Sequence, residues 1–167
     1  MQSEIYNILG DFIVSKINVN VIEANQNAPR DQKPFITIGI TNTRNLGSPI
    51  RYGVDDYGIE KTFLEKEITV AFEAFSDTLH EAENLLQNLE DVILTDQDYS
   101  IFQEKLFFVR SINGVQSVSE IFNDYSESRA LLECTFRYLQ QVNVNSGVIK
   151  HVNIDDLILN QQINIDL

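Results

Sequence analysis

Apolar and polar residues alternate from Glu65 to Phe75. Ile68, Val70, Phe72 and Ala74 fall on one face, and Glu67, Thr69 and Glu73 on the other, which is the period of a half-buried strand. After Ser76 and Asp77 the spacing changes to three and four. Leu79, Ala82, Leu86, Leu89 and Ile93 form a helical stripe that Leu85 and Val92 widen. Thr78 and Glu81 stand at capping-box spacing and mark the helix start. A strand feeding an amphipathic helix through so short a turn predicts a helix lying across a sheet.

The same patterns assign the flanking segments. Ile5, Ile8, Leu9, Phe12 and Ile13 predict a first helix capped by Ser3 and ending near Ile17, with Gly10 inside it. Val19 to Ile22 reads as a short edge strand, and Asn25 to Lys33 as a polar loop. Pro34 opens a second strong strand, because a proline at a strand's first position removes no ladder hydrogen bond. Here Ile36, Ile38 and Ile40 alternate with Phe35, Thr37, Gly39 and Thr41. From Asn42 to Gly58 the chain carries Gly47, Pro49, Gly53 and Gly58 and predicts a long loop, a length uncommon without a function. Leu106 to Ser111 predicts a strand that continues to Val118 through a bend at Asn113 and Gly114. Ser117 to Ser128 reads as a polar connection carrying Ile121, Phe122 and Tyr125. The last strand of the main sheet spans Arg129 to Gln140. It has Ala130, Leu132, Cys134, Phe136 and Tyr138 on one face and Leu131, Glu133, Thr135, Arg137 and Leu139 on the other. Beyond it, Val142 and Val144 predict a hairpin with Val148, Val152 and Ile154 across a turn at Ser146 and Gly147. Ile163, Ile165 and Leu167 then form an extended arm that needs a partner strand, with a second copy of the chain as one candidate.

These elements predict an α/β (α+β) fold. A mixed, largely antiparallel sheet of about four to six strands is flanked by two main helices and followed by a C-terminal hairpin and arm. The expected organisation is a domain over residues 1–141 and the hairpin and arm over residues 142–167.

The chain has 167 residues, 43% of them hydrophobic, enough for one domain with a true core. No apolar run approaches the length of a membrane span, and Met1 to Glu4 does not open a secretory signal. Cys134 is the one cysteine, so no internal disulfide forms, and its apolar neighbours make it a small core residue and not a nucleophile. The net charge of −13 repels phosphate backbones. It serves solubility in general and also suits a surface that must face DNA without holding it.

Enzyme signatures are missing. There is no phosphate-cradling glycine loop and no nucleophile elbow. His80 and His151 stand far apart, and neither has a second ligand at metal spacing. Asp96, Asp98 and Ser100 begin like a calcium loop, but Ile101 and Phe107 replace the required glycine and glutamate. Asp55 with Asp56 and Asp155 with Asp156 read as turn acids. No catalytic residue, cofactor or metal site is expected.

The run from Pro29 and Arg30 to Pro34, Phe35 and Ile38 resembles that of bacteriophage tail (neck) terminator proteins, which carry an arginine- and proline-containing loop, then a proline–aromatic pair, then a strand. Glu127, Arg129, Ala130 and Glu133 resemble the start of the family's last core strand. The similarity covers roughly residues 1–142, and the C-terminal part has no evident counterpart. The resemblance implies a homo-oligomeric ring, hexameric by expectation, seated on the tail tube protein, where it stops tube growth and joins tail to head. Sheath or head-connector proteins would be further contacts. DNA would pass through without specific binding, no membrane would be involved, and the protein would be made in the host cytoplasm and carried in the virion. Glu67, Glu73 and Glu133 are then candidates to face the lumen. Arg30, Arg44 and Arg51, with Phe122, Tyr125, Ile163, Ile165 and Leu167, are interface candidates. Two other classes stay open: another tail-completion or head–tail connector adaptor, and a small ligand-binding domain or enzyme.

Overall fold

The computed structural model describes residues 2–24, 32–55, 57–95, 107–118, 120–122, 125–145, 151–156 and 161–166. In chain order these form α1 (Gln2–Ile17), β1 (Asn20–Glu23), β2 (Phe35–Val54), β3 (Ile59–Ser76), α2 (Leu79–Thr95), β4 (Phe107–Ile112), β5 (Gln116–Ser117), β6 (Glu120–Phe122), β7 (Tyr125–Asn145), β8 (His151–Asp156) and β9 (Gln161–Asp166). The strands of the main sheet run in the order β1-β2-β3-β7-β4, with β5 and β6 also on β7. β1 lies parallel to β2, whereas β4, β5 and β6 each pair antiparallel with β7. The fold is therefore α+β, with a mixed, mostly antiparallel open sheet.

The chain divides into two compact units. One comprises Met1–Leu46 with Glu65–Leu139, the other Gly47–Leu64 with Gln140–Leu167. The first contains the core. Ile5, Leu9, Phe12 and Ile13 of α1 and Ala82, Leu86, Leu89 and Ile93 of α2 pack on Ile36 and Ile38 of β2. They also cover Ile68, Val70, Phe72 and Ala74 of β3, and Ala130, Leu132, Cys134 and Phe136 of β7. Both helices thus cover one face of the sheet, and among the described residues the other face is helix-free. Burial of Cys134, with Glu90 nearby, pushes its thiol up to about 12, so it stays protonated.

Local chemistry fixes the helix ends. Thr78 Oγ1 accepts from the Glu81 amide at 3.2 Å, and Glu81 Oε2 accepts from the Thr78 amide at 3.3 Å, so the predicted capping box is present. Ser76 Oγ donates a second bond to the Glu81 carboxylate at 2.8 Å. These hydrogen bonds, Ser76's foremost, hold Glu81 below its ordinary pKa. At the other helix, Asn18 adopts a left-handed φ of 57° and its amide bonds the Val14 carbonyl at 3.1 Å, which closes the C-terminus of α1. α1 starts at Gln2, so Ser3 lies inside its first turn and not ahead of it.

Several expected boundaries are corrected. The predicted loop Asn42–Gly58 is mostly strand: β2 and β3 continue as a two-stranded ribbon to a turn at Asp55–Gly58. Asp55 Oδ1 accepts from the amides of Tyr57 and Ile59, each at 2.9 Å, and Gly58 takes a φ of 78° that favours glycine. The β2 half, residues 47–54, is exposed throughout, so no apolar alternation announced it. The supposed connection Ser117–Ser128 is largely a small hairpin in which Phe122 pairs with Tyr125, and β7 starts four residues before Arg129. At the C-terminus β8 pairs with β9, Ile154 opposite Ile163 and Val152 opposite Ile165, in place of a hairpin with Val142–Asn145. The β9 arm therefore has its partner strand within this chain, and Asp155 and Asp156 are strand residues and not turn acids. The expected polar loop at 25–31 and the segment 96–106 lie outside the described residues.

Phe72 is fully buried under both helices' apolar stripes. Replacement of Phe72 by Ala is expected to cost about 3–5 kcal/mol, read as a lowered urea midpoint with unchanged slope. An unchanged midpoint would show that the core lies elsewhere.

Candidate functional site

On the helix-free face, one carboxylate gathers three arginines. Glu67 projects from β3 between Thr69 and Glu65 on the side opposite Ile68, as its alternation requires. Arg44 of β2 donates through Nε to Glu67 Oε1 at 2.6 Å. Arg110 of β4 places Nη1 2.9 Å from Glu67 Oε2. Arg137 of β7 stands with Nε 4.0 Å from Oε2 and donates through Nη1 to Glu65 Oε1 at 3.3 Å. Four strands of the sheet thus converge on one acid.

The acid is only 6% exposed. Burial alone, the largest single influence, would push its pKa up. The hydrogen bonds and charges of Arg110 and Arg44 outweigh that, and Glu67 is held below the ordinary 4.5. The arginines remain open to solvent at their outer edges: the Arg44 side chain is 56% exposed, and those of Arg110 and Arg137 are 42% exposed. Their guanidinium groups carry more N–H donors than Glu65 and Glu67 can occupy.

The rest of the face follows the same rule. Arg129 pairs with Glu73 at 3.5 Å and lies over the Phe75 ring, which stacks on Phe35 at 4.8 Å between centroids. Glu133 accepts from Asn113 Nδ2 at 3.4 Å, and its carbonyl accepts from the Asn113 amide. The lumen candidates Glu67, Glu73 and Glu133 therefore share one face, and two of them are tied to arginines. Arg44, Arg110, Arg129 and Arg137 are thus interleaved with Glu65, Glu67, Glu73 and Glu133.

Of the interface candidates, Arg44 belongs to this cluster. Arg51 lies in the second unit, where it pairs with Glu60 at 3.6 Å. There Tyr52 meets Phe63 edge-on at 5.2 Å, and Ile50, Tyr52, Val54 and Tyr57 are exposed, Tyr57 by 86%. Arg30, Leu167 and the side chains of Phe122, Tyr125, Ile163 and Ile165 lie outside the described set. Sequence reasoning missed Arg110, Arg129 and Arg137. Arg137 could have been matched to β3 by its position opposite the core face of β7. Arg110 could not, because a bulge between Val109 and Ser111 breaks the parity of β4. Among the described residues, no group of His, Cys, Asp and Glu is placed to hold a metal.

The depressed pKa of Glu67 gives a pH prediction. Its stabilising contribution is complete above the ordinary carboxylate value and lost as acid titrates the folded protein below it. The Glu67→Gln variant should lose stability at about pH 7 and show a shallower fall between about pH 5 and pH 3, measured as urea midpoints. Parallel curves for variant and wild type would show that the arginine contacts carry no such weight.

The geometry is that of a sheet face organised by ion pairs, with an exposed apolar ribbon in a second unit. No helix is long and apolar enough to cross a membrane among the described residues. No curated protein matches the chain. The model of the phage neck terminator protein family matches residues 3–165, which extends the resemblance past residue 142 through the C-terminal hairpin. With all but a few residues of its length inside that match, the chain belongs to the phage neck terminator protein family, structural proteins of the tail.

Proposed function

We infer that this protein closes with copies of itself into a ring, a hexamer in our reading, on the end of the tail tube. There it stops tube growth and forms the joint to the head. The family match over residues 3–165 carries this reading. The fold supports it with surfaces suited to assembly. Exposed Ile50, Tyr52, Val54 and Tyr57 on the ribbon form an apolar surface on an otherwise acidic chain, the kind of patch that marks a protein contact. We assign that ribbon to the tube protein. The net charge of −13 suits a collar through which DNA slides without being held. The role needs no chemistry: blocking further addition of tube subunits requires only that the ring cover the tube's growing end.

Light scattering and negative-stain images of the purified protein, alone and with tubes, are expected to show rings. Monomers in both samples would overturn the reading. Loss of the gene should leave tails of uncontrolled length or unable to join heads. Normal tails with heads that leak DNA would identify an adaptor instead.

A further inference from the structure

In the first unit the arginines gather around one acid, while α2 carries none. The helix-free face carries the Glu67 cluster, where Arg44, Arg110 and Arg137 outnumber Glu65 and Glu67 and keep outward-facing donors. On the other face, α2 carries Glu81, Glu83, Glu90 and Asp91 and no lysine or arginine. Among the described residues no cation pairs with Glu83, Glu90 or Asp91. Glu90 and Asp91 stand toward the helix's C-terminal end. A helix C-terminus favours cations, so Glu90 and Asp91 gain nothing from the helix dipole. Their arrangement leaves α2 complementary to positive charge from outside it.

We propose that the two faces meet between subunits: the acidic outer surface of α2 on one copy docks on the Arg44–Arg110–Arg137 cluster of the next. Glu67 acts as the buried anchor that fixes three guanidinium groups in place before contact, which reduces the ordering cost of binding. A patch that pairs with a different patch is a heterologous contact, and heterologous contacts close into rings when the rotation allows. The occupant is a second copy and not nucleic acid, because a chain of net charge −13 is driven away from phosphates at long range while its own α2 supplies the complementary acid. Glu67, Glu73 and Glu133 then stand at the joint between subunits and not on the channel wall. This proposal rests on the ring reading above.

Two variants test it. The Glu90→Lys/Asp91→Lys protein reverses the acidic surface, and the Arg44→Gln/Arg110→Gln protein neutralises the cluster. Assembly, followed by light scattering and native mass spectrometry, should weaken by about tenfold or more in each, and more salt should weaken the wild type. The lysine variant should melt no lower than a monomeric wild-type sample, because its new charges suit the helix end. That outcome separates contact from folding even if the arginine variant proves unstable. Mixed one to one, the two variants retain a single good contact per pair and should give heterodimers but no rings. Wild-type rings unaffected by the lysine variant would overturn this contact while leaving the ring reading intact. Wild-type monomers, with tubes present, would overturn both. Arginine-dependent binding of a labelled DNA duplex would reassign the cluster to phosphate and overturn the proposal.

Discussion

A nearly buried carboxylate held by arginines from neighbouring strands is the constraint around which the sheet's open face is built. Glu67 cannot be charged at 6% exposure without partners, and its partners come from β2, β4 and β7, so the ion pairs impose a relation among strands distant in sequence. The hydrophobic core beneath would hold the same strands together, but it would not say which side chains the open face presents. Removing one arginine leaves the others around the acid. Removing the acid leaves arginines crowded together with one partner fewer. The carboxylate is for that reason the more consequential member.

How much of this was legible follows from burial. β3, α2, β7 and the core face of β2 were readable because one side of each is apolar and the other is not. The capping box was readable because its two residues recognise each other locally. The β2 half of the ribbon was not: residues 47–54 are exposed throughout, so no period appears, and its glycines and Pro49 suggested a loop. The C-terminal pairing was misassigned because Val142–Asn145 and Ile163–Asp166 alternate alike, and alternation fixes faces without choosing partners. For the site, alternation put Glu67, Glu73 and Glu133 on the right face. It could not reveal that arginines pair with Glu67 and Glu73, since this depends on strand order and on the bulge at Arg110.

For a structural tail protein this arrangement has a use. In the ring proposed above, subunits must repel one another in general yet attract at one contact. Uniform negative charge gives the first and works against the second. Concentrating arginines around one anchored acid on the helix-free face, and leaving α2 without a single cation, gives an otherwise self-repelling chain one place of attraction.

The most direct measurement is cryo-electron microscopy of the assembled particle at side-chain resolution. The account predicts Arg44, Arg110 and Arg137 of each copy covered by the acidic surface of a neighbour's α2, with Glu67 still beneath them. A ring in which those arginines line the open bore, or face solvent while α2 touches nothing, would contradict it.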